Sequence, residues 1–305
     1  MSSLCHPVVH AGDAALHACT ALISVATAPY DGYEPERMFE SLARVGVTHV
    51  DLSDPIGYSE RLDEKRYSPS SASIFAATLE RHGLKCYAVS AHLNLLVASE
   101  RAELERRLNF AARIGARVVN TSAGDRHRER EAVVALRWAA GLAAELGLKI
   151  GLENPADGRD SLFNVAADAP HLLDRIGSAS VGLTYDVGNT VSHRPGIDPV
   201  DDALAALPHC IHVHVKDLNR QPAGWFYAAI GTGYLDLADL VRAATRRKIP
   251  ISIELPLRQY RLLDGMLGRS RYRVALRDIE TIVATSLQWL KDCASSAGLV
   301  ERACA

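Results

Sequence analysis

One unit recurs along the chain: a helical stretch rich in Ala, Leu, Arg and Glu, a short glycine-containing break, then a brief apolar run. "PERMFESLARVGVTHVDLSD" is its first clear instance, predicting a helix from about Pro35 and a strand near 47–52. "SASIFAATLERHGLKCYAVSAH", "RAELERRLNFAARIGARVVNTSAG", "AVVALRWAAGLAAELGLKIGLENP" and "APHLLDRIGSASVGLTYDVGNT" repeat it, as do "DPVDDALAALPHCIHVHVKD" and "LDLADLVRAATRRKIPISIELPL". An earlier apolar run, "ALISV" at 21–25, supplies a further strand, and "RVALRDIETIVATSLQWLKDC" a last helix. Apolar positions within the helices, such as Leu136, Ala139, Ala140, Leu142 and Leu146, describe one buried face. The glycines of "RVG", "RHG", "RIG" and "ELG" fit left-handed residues just past helix ends.

Strands that alternate with helices are parallel and joined by crossovers. Eight such repeats predict a closed (β/α)8 TIM barrel, a single domain over 1–305 with a short N-terminal extension of about 1–19. The rival is an open doubly wound sheet, whose dinucleotide-binding form is weakened by the lack of GxGxxG after the first strand. With 48% hydrophobic and 23% charged residues, a large core is expected and disorder is not. A formal net charge of -2 gives no reason to expect a nucleic-acid or membrane partner. The cysteines, at 5, 19, 86, 210, 293 and 304, show no metal-binding spacing and read as reduced thiols. The N-terminus lacks a basic segment followed by an apolar one, so a cytoplasmic location is the expectation.

Barrels of this kind carry their sites at the C-terminal ends of the strands. There "KIGLE" ends at Glu153, "VGLTYD" at Asp186 and "ISIE" at Glu254, while "IHVHVKD" offers His212 and His214 on one face. Each alone has a plain reading. A carboxylate after a strand caps a helix or meets solvent, Asp186 suits a turn before Gly188, and His212 reads as a hydrogen-bonded interior histidine. Brought together with an imidazole on four neighbouring strands, the three carboxylates would repel one another unless a divalent cation joins them. Oxygen-rich ligation favours Mn2+, with Mg2+ or Co2+ also suited, over structural zinc, and leaves room for a substrate carbonyl and hydroxyl. His92, Asn120 and Lys216 stand near the same rim. Asp217 reads as a turn or supporting residue, and "GTG" at 231–233 as a weak glycine signal before a capped helix. Trp225 and Phe226, in the loop expected after the seventh strand, are candidates for a cavity wall or for subunit contacts, and the arginine-rich stretch 258–273 for a solvated or intersubunit loop or a receiver of an acidic group.

"GLENP", "YDVGN", "HVHVKD", "IGTGYLD" and "ISIE" together resemble the xylose isomerase-like, or sugar phosphate isomerase/epimerase, superfamily over nearly the whole chain. In its ketose 3-epimerase branch, the resemblance assigns the metal to Glu153, Asp186, His214 and Glu254, and proton transfer to Glu153 and Glu254. That branch carries a substrate-binding His where this chain has Asn189, and an Arg where it has Arg220. Asn189 can hydrogen-bond a hydroxyl but cannot titrate near neutral pH. With His92, His212 and Lys216, these form the expected substrate contacts. The implied reaction is isomerisation or epimerisation of a small sugar, keto sugar or cyclitol through an ene-diolate. Loss of a leaving group from the same intermediate would instead make a lyase or dehydratase of a keto-cyclitol or 3-keto glycoside. Similar barrels associate, which implies a homo-dimer or homo-tetramer.

Overall fold

The computed structural model describes residues 21–53 and 67–303, with side chains to Ala297. The N-terminal extension and Cys5, Cys19 and Cys304 lie outside the described residues. Eight parallel strands close into a barrel: β1 (Ile23–Ala26), β2 (His49–Leu52), β3 (Lys85–Ser90), β4 (Val118–Ser122), β5 (Lys149–Glu153), β6 (Val181–Asp186), β7 (Cys210–Val215) and, after an insertion, β10 (Ile251–Ile253). β1 closes the cylinder, pairing with β10 on one side and β2 on the other. The open-sheet alternative is thereby excluded.

Around it lie α1 (Pro35–Arg44), α2 (Pro69–Arg81), α3 (Ala98–Arg113), α4 (Glu129–Glu145), α5 (Ala169–Ile176), α6 (Val187–His193), α7 (Pro199–Ala206), α8 (Ala238–Arg246) and α9 (Leu276–Ala303). The helix-end glycines 46, 83, 115 and 147 all have positive φ, as the sequence predicts. None of the helices among the described residues is long and apolar enough to cross a membrane. The described cysteines, Cys86, Cys210 and Cys293, are unpaired.

Alternate strand residues divide the work. Val25, Ile150, Leu152, Leu183, Val213 and Ile253 are buried in the apolar layer under the helices. The other parity faces the barrel axis, where branched apolar side chains usually fill the space. Here that interior is polar: Ser24, Asn120, Thr184, His212 and Ser252 are fully buried. Buried polar groups need partners, and Thr184 Oγ1 donates to Asn120 Oδ1 at 2.7 Å. Gly151 makes room for that bond, because a Cβ there would stand 2.1 Å from Thr184 Oγ1 and 2.6 Å from Asn120 Oδ1.

The segment beyond β7 is not the loop expected around Trp225 and Phe226. β8 (Asp217–Gln221), β9 (Gly224–Ala228), β11 (Gln259–Leu262) and β12 (Leu267–Arg269) form a small antiparallel sheet in the order β12-β11-β9-β8. It rises from the C-terminal rim. Asp217 anchors its base, accepting hydrogen bonds from the backbone N–H groups of Gly231, Gly233 and Leu235 at 2.9, 2.8 and 3.3 Å. The amides of "GTG" are thus engaged by an acid of the protein itself. Arg258 and Arg269 grip buried Asp31, just beyond β1, at 3.2 and 2.8 Å, pinning the far side of the sheet by charge-assisted bonds.

Gly151→Ala is expected to destabilise the barrel by about 1–3 kcal/mol through overpacking. Gly141→Ala, on an exposed helix position where an added Cβ meets nothing within 4 Å, should stabilise by about 0.5–1 kcal/mol. Denaturant unfolding of the two variants measures both.

Candidate metal centre

Glu153, Asp186 and His214 end or nearly end β5, β6 and β7, and Glu254 directly follows β10. Each is the last inward-facing residue before its chain leaves the barrel. One ligand atom from each lies within 4.8 Å of all the others, and all four residues are buried. His214 Nδ1 is 2.6 Å from Glu254 Oε2, 3.3 Å from Glu153 Oε1 and 3.9 Å from Asp186 Oδ2. Close approach here is not hydrogen bonding: His214 Nδ1, Asp186 Oδ2 and Glu254 Oε2 are all buried without an aligned hydrogen-bond partner. Donor atoms that converge on one point, three oxygens with one nitrogen, fit a hard divalent cation.

The electrostatics agree. Burial pushes the Asp186 carboxyl up, and the charges of Glu254 and Glu153 add to this, so it rises to about 7 even beside Lys216. Burial also works against ionised Glu153 and Glu254, but both stay below the usual carboxylate range, the first through His214 and His92, the second through Lys216 and His214. In turn His214 and Lys216 are driven upward by the acids, against burial. The cluster draws on every positive charge within reach.

Sequence reasoning missed the residue behind His214. Asp51, on β2 and fully buried, lies with Oδ2 3.0 Å from His214 Nε2. With Asp51 accepting from Nε2–H, the Nδ1 side of the ring is the one turned toward the three acids. Asn120 Nδ2 lies 3.2 Å from the same Nε2 and 3.5 Å from His212 Nδ1. Asn154, immediately after Glu153, fixes the next strand. Its Oδ1 accepts from Asp186 N at 2.8 Å, and its Nδ2 donates to Asp186 O at 2.9 Å.

A cavity of about 220 Å3 opens above the cluster, lined by His92, Glu153, Asn189, Lys216, Tyr227 and Arg261 among others. A larger recess of about 620 Å3 lies at the opposite end, around Leu22, Lys85 and Arg117, away from the converging donors. Of the expected substrate contacts, the structure brings three to the cavity. His92 Nε2 is 2.7 Å from Glu153 Oε2. Asn189, at the start of α6, donates to Glu153 Oε1 at 3.3 Å and accepts from Lys216 Nζ at 3.1 Å. Lys216 also pairs with Asp186 and lies 3.4 Å from Glu254 Oε2.

Two expected contacts are placed elsewhere. His212 is a layer deeper, fully buried with its ring 4.8 Å from that of His214 and 5.2 Å from Tyr87. Burial and the neighbouring His214 hold its pKa well below the usual range, so it is neutral. Arg220 rides out on β8, exposed, over the Trp225 ring at 5.6 Å. It is absent from the cavity lining.

The sequence profile of the xylose isomerase-like TIM barrel family matches residues 39–293, and the chain belongs to that family. No curated protein matches the chain. Among solved structures, a xylose isomerase-like TIM barrel protein from Mycobacterium smegmatis in complex with magnesium is similar at 18% identity and TM-score 0.67, over 91% of this chain and 98% of that one. D-psicose 3-epimerase with D-tagatose from Clostridium cellulolyticum is similar at 13% identity and TM-score 0.68, over 90% and 99%. A protein titled the probable 3-DHS dehydratase of petrobactin synthesis from Bacillus anthracis is similar at 15% identity and TM-score 0.66, over 88% and 98%. At these identities the likeness is one of fold.

Asp51→Asn is expected to weaken Mn2+ binding by about 10–100-fold, because the amide orients His214 poorly and adds no charge. Titration calorimetry of metal-stripped protein checks this. An unchanged affinity with lowered thermal stability would reduce Asp51 to a packing role.

Proposed function

We propose that this member of the family is a divalent-metal-dependent isomerase or epimerase of a small sugar, keto sugar or cyclitol. The observation that carries the reading is the convergence of Glu153, Asp186, His214 and Glu254 on one point beneath a cavity, where His214 Nδ1, Asp186 Oδ2 and Glu254 Oε2 lack an aligned hydrogen bond. Mn2+ suits this donor set best, with Mg2+ or Co2+ as alternatives. A divalent ion held there would polarise a substrate carbonyl and acidify the adjacent C–H.

The protein's own groups then divide the proton transfers. Glu153 and Glu254 come from β5 and from the end of β10 and meet the cluster from different sides, so one takes the proton and the other returns it. Return to the opposite face of the same carbon inverts it. Return to the neighbouring carbon interconverts aldose and ketose. Asn189 steadies Glu153 through its amide and holds Lys216 through its carbonyl. Lys216 stays charged among the acids and limits the cost of burying them. A small carbohydrate suits the size of the cavity. A cytoplasmic homo-oligomer remains part of this reading.

A second reading, a metal-dependent lyase or dehydratase of a keto-cyclitol or 3-keto glycoside, is favoured by His92. It is exposed at the cavity wall, with Nε2 2.7 Å from Glu153 Oε2. It can therefore deliver a proton to a departing oxygen at the cavity wall.

Glu153→Gln and Glu254→Gln should each lower kcat by about 10²–10⁴-fold, and a chelator should abolish turnover until metal is restored. The assay is loss of carbon-bound protons from ketoses and keto-cyclitols in D2O, followed by NMR. Full exchange by metal-free protein contradicts the proposal. Exchange accompanied by loss of water or an aglycone selects the lyase reading.

A further inference from the structure

Five arginines follow Glu254 on β11, β12 and their flanks. Arg258 and Arg269 are spent on Asp31. Arg273 donates to Gly32 O at 2.9 Å and stacks on Tyr33. Arg271 lies exposed over the Tyr272 ring. Arg261 differs, because it lines the cavity above the metal centre.

The small sheet explains why. Arg261 pairs across the ladder with Trp225, and Tyr260 with Phe226. Paired residues share a face, and alternation puts Gln259 on the same side as Arg261. Gln259, Arg261 and Tyr227 accordingly form one wall of the cavity. Arg261 Nη1 donates to Gly265 O at 3.2 Å, which fixes the guanidinium against the β11–β12 turn. Its Nε is buried without a hydrogen-bond partner, and no ion pair among the described residues involves it. Asp157, the other acid on the cavity wall apart from Glu153, is engaged by Arg159 at 2.8 Å. A desolvated guanidinium donor left unpaired costs free energy. A guanidinium lining the cavity with no acid among the described residues against it is suited to a carboxylate or phosphate.

We propose that Arg261 is an anion-binding residue of this cavity, and that the substrate carries a carboxylate or phosphate on the end away from its carbonyl. The inference rests on the sugar-acting reading of the same cavity and narrows its substrate class. It also transfers to β11 the cationic contact that the family resemblance assigns to Arg220, which the structure holds outside the cavity lining.

The test is calorimetric binding of D-fructose, D-fructose 6-phosphate and D-fructuronate to manganese-loaded protein, paired with the deuterium-exchange assay. Wild type should bind at least one anionic ketose about tenfold or more tightly than fructose, and that preference should shrink as salt is raised. Whether phosphate or carboxylate wins identifies the group. Arg261→Met should bring the ratio to within about threefold, and Arg261→Lys, which keeps charge but loses the fork, should fall between. Equal wild-type affinities, or a preference that persists in Arg261→Met, overturn the inference; the wild-type comparison needs no folded variant. Metal-dependent exchange on fructose without anion preference would overturn this inference alone. Anion preference without metal-dependent exchange would leave it standing and overturn the proposed reaction.

Discussion

Three carboxylates and an imidazole are held within a few ångströms of one another in a buried barrel mouth. Like charges at that spacing, shielded from water, would strongly destabilise the fold if nothing compensated them. Everything nearby answers this constraint. Lys216 enters between Asp186 and Glu254, and His92 caps Glu153. A fourth carboxylate, Asp51, is spent on the back of His214 rather than added to the cluster. A single lysine cannot neutralise so many acids, and the point on which their oxygens and His214 Nδ1 converge is the candidate place for a divalent ion.

The constraint extends inward. A barrel packed with branched apolar residues could not orient His214 or hold the ends of β5 and β6. Here the axis carries a polar chain from Thr184 to Asn120, whose amide nitrogen lies beside both histidines, and a glycine at 151 to accommodate it. Outward, the parallel barrel and the antiparallel cap have separate tasks. The barrel presents the acids, and the cap, clamped at Asp217 and Asp31, sets one wall of the cavity above them. Change in the cap can reshape the cavity while the cluster of acids stays intact.

The barrel was legible because its signals are local. Helical and strand periodicities alternate, and glycines close the helices where the sequence places them. The four candidate ligands were legible as a cluster for the same reason, each being the last inward position at its strand end. Asp51 was not, since a register shift between Val50 and Asp51 interrupts simple alternation, and nothing in "DLSDP" marks which acid turns inward. His212 shares the parity of His214, but parity does not report depth, and His212 proves to be the layer below. The small sheet depends on pairing between β9 and β11, which are distant in sequence, so "NRQPAGWFYAA" reads as loop. Arg220 is displaced for that reason: β8 takes it out onto the cap, while the arginine that lines the cavity is on β11.

The most direct measurement is a crystal structure of protein soaked in manganese, with anomalous scattering used to locate the ion. This account predicts one strong anomalous peak bonded to Glu153, Asp186, His214 Nδ1 and Glu254, with Asp51 still against His214 Nε2. Under saturating metal, a map with no peak among those side chains, or with the ion bound elsewhere, would contradict it.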